Sequence, residues 1–292
     1  MSEEEKVVHT FKHASYEIVA PGVAKIMQTR PEARNAQNAQ LTYDLNDCFD
    51  LAAQDEEVKV ILFGGEGPHF SSGHDLRGFG PPFPQRDFKL VNTWGMSREG
   101  GVHSRYSFEQ EVFMGMCQRW RDLPKPTIAM VQGKCIAGGL MLAWMCDMII
   151  ASDDATFVDP VVAMGVLGVE YFNHPYELGI RKAKEHLFTG DWWDAEEAHR
   201  LGMVNHVVER DNLEDFSLEI ANKIAQRPLF ALKMAKKAVN VAQDNMGHKA
   251  TQETSLALHH MCHAHNAEVE MMAVKAEGMP EKFRPKKEEA AE

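Results

Sequence analysis

The sequence predicts an α/β fold with crossover connections. Short apolar runs rich in β-branched residues, at 58–63, 127–131 and 148–151, alternate with segments whose apolar residues fall three and four apart. The last third of the chain is helical in pattern throughout. A chain of 292 residues, 44% hydrophobic and 25% charged, can also bury a substantial core and has an ordinary globular composition.

In chain order, residues 16–28 read as two short strands joined at Pro21-Gly22, a turn dipeptide. Leu41, Leu45, Cys48, Phe49 and Ala52 have helical spacing, so 39–53 is expected to be a helix. Residues 58–63 form a buried strand by their β-branched and aromatic run. A strand at 127–131, a helix from about Gly138 and a strand at 148–151 repeat the strand–helix–strand plan. Residues 79–107, with Pro81, Pro82, Pro84 and several glycines, lack clear periodicity and read as a functional or mobile segment rather than core. Asp194 and Glu197 have capping-box spacing. Helices are expected at 213–224 and 231–241, separated by Arg227-Pro228. The charged, apolar-poor end at 286–292 is expected to be disordered.

Several function classes are excluded. A formal net charge of −12 disfavours nucleic acid, which requires a basic face. The longest apolar stretch, 136–150, is broken by Asp147 and too short to span a bilayer. The start, MSEEEK, lacks the basic-then-apolar order of a secretory signal. Five cysteines with no C-x-x-C pair argue against a disulfide framework or a zinc ribbon. A cytoplasmic enzyme without nucleic-acid or membrane partners is the simplest reading.

Two distant segments carry the chemistry: HFSSGHDL at 69–76 and GKCIAGGLMLAWMCD at 133–147. Each sets a glycine turn after a strand-like run, and the second opens a helix whose first N–H groups have no partner within it. Two such donors aimed at one carbonyl oxygen would stabilise negative charge developing there.

With these segments, further motifs fall in a familiar order. They are RPEARNAQN at 30–38, KPTIAMVQGKCIAGG, MCDMIIAS with ATFVDP, LFTGDWWDAEEAHRLGMVNHVV at 187–208, and EGMPEKF at 277–283. Over roughly residues 16–283 the chain resembles the crotonase (enoyl-CoA hydratase/isomerase) superfamily. That resemblance implies a spiral of ββα units over 1–203, a helical subunit-packing region over 204–283 and a charged tail at 284–292. It implies a homotrimer, often paired as a hexamer. It implies an acyl-CoA thioester substrate that brings coenzyme A with it, and no permanently bound cofactor. The backbone N–H groups of His74 and Gly138 would form the oxyanion hole. Arg34, Ala36, Ser72, His74 and Leu76 would meet coenzyme A, joined by Lys282 and Phe283 of a neighbouring subunit. Residues 79–107 would help cover the acyl group.

The departures from that pattern matter. Met141 and Val161 stand where the family's hydratases carry their two glutamates, and neither can transfer a proton. Glu170, in GVLGVEYFNHP, is the leading replacement, and Asp159 the next, with Tyr171 and His174 nearby. A carboxylate in an apolar pocket is expected to have a raised pKa and to serve as a general base; a structural ion pair is the alternative for Glu170. Asp75 is expected to order its own turn. In HHMCHAH, at 259–265, His259 and His263 share one helix face, a spacing seen in zinc sites. A third ligand and acceptors orienting the rings would also be needed, so a polar helix face or an inter-subunit hydrogen-bond network is expected there, with no metal. The functional expectation is an enoyl-CoA hydratase-like enzyme. The alternatives are an isomerase, an acyl-CoA hydrolase or C–C lyase, or a non-catalytic thioester-binding protein.

Overall fold

The computed structural model describes residues 8–77, 83, 87–97 and 99–281. Among these, ten strands form two sheets. The larger sheet begins with β1 (Val8–Thr10), β2 (Ala14–Ala20) and β3 (Val23–Gln28), antiparallel neighbours in that order. It continues in parallel through β4 (Val60–Gly65), β5 (Thr127–Val131), β7 (Met148–Ser152) and β10 (His206–Val208). The smaller sheet joins β6 (Lys134–Ile136), β8 (Thr156–Val158) and β9 (Trp193–Asp194).

Each spiral turn leaves the large sheet, crosses the small one and enters a helix. β5 leads to β6 and α4 (Gly138–Trp144); β7 leads to β8 and α5 (His174–Thr189). The turn after β4 meets the small sheet through a parallel bridge between Ser71 and Cys135. The expected ββα spiral is therefore present.

Strand side chains alternate between faces, so the large sheet sorts its apolar residues into two cores. Ile61, Phe63, Ala129 and Val131 face α1 (Ala39–Gln54) and the site-bearing loops; Val60, Leu62, Ile128 and Met130 face α7 (Leu213–Ala225). Asn38 caps α1 by accepting the Leu41 N–H at 2.9 Å. Asp194 caps α6 (Ala195–Leu201) by accepting from Glu197 N–H at 2.8 Å, as the capping-box spacing anticipates. The boundary expected at residue 203 is not a break: β10 pairs with β7, and α7 covers the sheet. α8 (Leu229–Asn245) and α9 (His248–Val269) lie beyond that layer. Pro228 starts α8 at its N-cap rather than leaving a gap to residue 231, because proline is compatible with a helix start.

Residues 79–107 are not wholly irregular. Their end enters α2 (Gly101–Glu109), which passes through a π-helical turn (Gln110–Gly115) into α3 (Met116–Arg121). Buried Ser104, Ser107 and Phe108 anchor α2, an inward face the polar sequence conceals. The segment's Phe79, Pro81, Pro82 and Pro84, the closing Lys282 and Phe283, and the charged tail lie outside the described residues.

Candidate active site

The two glycine turns meet. Gly73 has φ +84°, and a Cβ there would stand 2.8 Å from the Ile136 carbonyl oxygen and 3.2 Å from the Gly138 nitrogen. The close approach therefore requires glycine. Gln37 and His74 form a parallel bridge, in which the Gln37 N–H donates to the Gly73 carbonyl and the Asp75 N–H to the Gln37 carbonyl, both at 2.8 Å. That ladder turns the His74 N–H away from Gln37. Gly138 opens α4, where helix geometry offers its N–H no acceptor within the helix.

The His74 imidazole does not reach outward to a coenzyme A entrance. It stacks on Phe113 of the π-helical turn, with centroids 3.8 Å apart, and lies between two side chains. Gln37 Nε2 donates to the Gly138 carbonyl at 2.7 Å, which leaves its Oε1 as an acceptor for His74 Nδ1 at 2.9 Å. Nδ1 therefore carries a proton, and Nε2 faces Glu170 Oε2 at 2.9 Å. Gln37, absent from the sequence-derived site, thus ties the ring to the same turn that offers Gly138 N–H. It lies within RPEARNAQN, so only its role was hidden.

Glu170 is 3% exposed and lines a cavity of about 470 Å³ together with Ser72, His74, Leu76, Val161 and His259. Its pKa is not raised as expected. Burial pushes it up, but His74 and His259 more than offset this and hold the carboxyl below the usual range. Its Oε1 is 3.8 Å from His259 Nε2.

Behind Glu170 lies a second carboxylate without a sequence motif. Glu109 of α2 is wholly buried, with His259, His260 and His263 nitrogens 3.4, 3.0 and 3.5 Å from its oxygens. Burial raises its pKa; the surrounding imidazoles dominate and hold it well below the carboxylate range. His259 loses some basicity to burial yet is raised to about 9 by Glu109 and Glu170. HHMCHAH is thus neither a polar face nor placed only to meet another subunit: three of its imidazoles are buried against α2 of the same chain. Glu109 falls among Phe108, Val112 and Phe113, and that apolar setting was the signal available in the sequence.

The other expected residues divide. Asp159 is buried outside the cavity lining: its Oδ1 accepts from Val161 N–H at 3.3 Å, its Oδ2 from Val169 N–H at 3.0 Å, and His174 stands 2.9 Å away. It braces the loop that presents Glu170. Tyr171 is fully buried. Ser72 and Leu76 line the cavity, whereas Arg34, exposed, and Ala36, buried, do not. Asp75 is held between Arg30 and Arg77, at 3.1 and 2.7 Å. Val161 lines the cavity; Met141 is buried within α4.

The model of the enoyl-CoA hydratase/isomerase family matches residues 19–89 and 95–285, most of the chain. The chain belongs to the enoyl-CoA hydratase/isomerase family. A putative enoyl-CoA hydratase, EchA13, of Mycobacterium tuberculosis is 41% identical over 267 residues, covering 89% of this chain and 83% of the relative. The mitochondrial enoyl-CoA hydratase domain-containing protein 3 of Rattus norvegicus is 34% identical over 230 residues, covering 76% and 69%. A probable enoyl-CoA hydratase structure from Mycobacterium smegmatis superposes with a TM-score of 0.81 at 44% identity, covering 90% of this chain and 99% of that one. The family acts on acyl-CoA thioesters, and this member is an enzyme of hydratase/isomerase type.

Proposed function

We propose that the protein is an enoyl-CoA hydratase-like enzyme in which Glu170, held by His74, replaces the two family glutamates. The single observation that carries this is the Glu170–His74–Gln37 chain, which ends on the turn presenting Gly138 N–H. The thioester oxygen would rest on the N–H groups of His74 and Gly138, and charge would build there as an enolate forms. The Glu170 carboxylate would exchange the proton at the reacting carbon or direct a water onto the double bond, with His74 keeping its Oε2 in place.

A second reading, double-bond isomerisation, is favoured by one observation. Among the described residues, Glu170 is the carboxylate lining the cavity, and one group suffices to remove and return a proton. Ser72 and Leu76 in the cavity lining, with exposed Arg34 bonded through its carbonyl to the Ser72 N–H, suit coenzyme A arriving as part of the substrate. Lys282 and Phe283 would complete that contact from a neighbouring subunit of a trimer or hexamer. The five unpaired thiols suit a reducing, cytoplasmic setting.

The test is a panel of enoyl-CoA substrates turned over in isotopically labelled water, with products identified by mass spectrometry. Label gained as a hydroxyl marks hydration, and a shifted double bond marks isomerisation. Glu170→Gln should lower kcat by ~100- to 10,000-fold with KM changed only a few-fold. Wild-type turnover by that variant would remove Glu170 from the chemistry. No turnover of any substrate that binds would favour a thioester-binding protein instead.

A further inference from the structure

We propose that Glu109, His259 and His263 form a binding site for one divalent first-row transition-metal ion, of the zinc type, in the inner wall of the acyl cavity. One ligand atom from each residue lies within 4.8 Å of the others, and all three residues are buried. Ligands about 2.1 Å from one ion at tetrahedral angles stand about 3.4 Å apart. His259 Nε2 is 3.4 Å from Glu109 Oε2 and His263 Nε2 is 3.5 Å from Glu109 Oε1, so each histidine meets a different carboxylate oxygen at about that spacing.

One atom from each of the three residues is thus grouped around a space that a single ion could occupy. Among the described residues, neither Glu109 oxygen accepts an aligned hydrogen bond and His259 Nε2 makes none, although all three atoms are out of contact with solvent and lie close enough to pair as ions. Buried polar atoms without aligned hydrogen bonds are costly, and an ion bound among them would meet all three. The far side of each ring is committed. His259 Nδ1 is 2.9 Å from the Gly168 carbonyl and His263 Nδ1 is 2.7 Å from the Ala273 carbonyl. A carbonyl only accepts, so each Nδ1 carries a proton, and each Nε2 is the nitrogen aimed at Glu109, the one that a metal ion would take on displacing any proton there. This is how metal-binding histidines are ordinarily oriented.

Helix spacing places the two histidines on one face of α9, and α2 brings the carboxylate from 150 residues away in sequence. His260 Nε2, at 3.0 Å, and Arg105 Nη1, at 3.7 Å, approach Glu109 as well and fix its orientation. Two histidines and one carboxylate leave coordination positions open, as catalytic rather than structural sites do. His259 and His263 both line the cavity, and Glu170 Oε1 is 3.8 Å from His259 Nε2. The open positions therefore face substrate space.

The test needs no substrate, so its outcome is separable from the proposed acyl chemistry. Tag-free full-length protein is stripped with a chelator, desalted and titrated with cobalt(II), then with zinc(II). The expected result is one equivalent of cobalt with the visible bands of a low-symmetry four- or five-coordinate ion, displaced by zinc. Glu109→Gln and His263→Gln should each weaken cobalt binding more than about 100-fold, beyond the ~10- to 100-fold loss typical of altering a ligand's supporting partner. His265→Gln, an exposed neighbour on the same helix, should bind as wild type does. Wild-type protein that takes up no cobalt overturns the proposal without reference to any variant. So does uptake that persists in well-folded Glu109→Gln, or that His265→Gln abolishes.

Discussion

Gln37 shows how much one amide can decide. Its Nε2 is committed to a carbonyl, which fixes its Oε1 as an acceptor and so fixes the proton on His74 Nδ1. Gln37→Leu removes both contacts from a buried place. Unfolding free energy should fall by roughly 1–3 kcal/mol, the cost of leaving buried polar atoms unpaired. In the same variant kcat should fall while KM stays nearly constant; a changed KM with intact kcat would assign Gln37 to binding alone. His248 supports a second residue-scale prediction. Burial, then the Arg121 charge, depresses it from 6.5 to about 4. Between those values the unfolded chain binds a proton that the folded chain refuses, so stability rises with pH across that window. The contribution is complete above pH 6.5 and is lost as pH falls toward 4, on the order of 3 kcal/mol. His248→Gln keeps an N–H for Asn173 Oδ1, His248's partner at 2.8 Å, and should flatten the stability profile between pH 4 and 6.5 in urea titrations. An unchanged slope would assign acid sensitivity elsewhere. Glu170 could be read from the sequence because its motif survives around it. Glu109 offered only its apolar neighbours as a signal, since its partners sit on a helix 150 residues away and no local pattern links them.

Elements were legible where their apolar pattern is continuous or periodic. The unbroken β-branched and aromatic run of β4 reflects burial on both faces, the three-and-four spacing of α1 marks the side it turns to the core, and both match the structure closely. The small sheet was not legible. β6 and β8 have three residues each, too few for periodicity to register, and they pair only because the spiral brings them together. α2 was hidden for a different reason: its inward face carries serines and Glu109 rather than aliphatic side chains. α4 is only seven residues long, so its value to the site lies in its first residue rather than in its length. A Cβ on Gly138 would come 2.6 Å from His74 Cε1 and 2.7 Å from Nδ1. Gly138→Ala should therefore push the imidazole off Glu170 and misdirect the adjacent N–H together. The expected loss is at least ~100- to 1,000-fold in kcat, the range for removing one oxyanion donor. Near-native circular dichroism should accompany it, because the contact is local. A Gly138→Ala enzyme within a few-fold of wild type would show that the α4 start does not hold the thioester oxygen.

At the scale of the whole molecule, the outer helices expose apolar surface that none of the other described residues covers. Phe230, Met234 and Val241 of α8 are 72%, 44% and 47% exposed, and their spacing lines them along one helix face. No residue of α8 is buried, although it carries seven alanine, leucine and valine residues besides these side chains. Single exposed apolar residues need no explanation, but a stripe along a 17-residue helix marks a contact surface. Repulsion at a net charge of −12 must also be overcome by whatever joins the copies, which favours an apolar seam over a charged one. The assembly proposed here is a homotrimer, or two trimers paired. Sedimentation equilibrium of the wild-type chain should give three or six times the monomer mass. Phe230→Asp combined with Val241→Asp should place carboxylates in the seam and shift the protein toward monomer, since burying an unpaired charge costs several kcal/mol. Because Glu109, His259 and His263 all belong to one protomer, that monomer should keep its cobalt site and its fold. It should lose acyl-CoA affinity, if Lys282 and Phe283 act across the seam. A double variant that sediments as wild type would move the interface off α8.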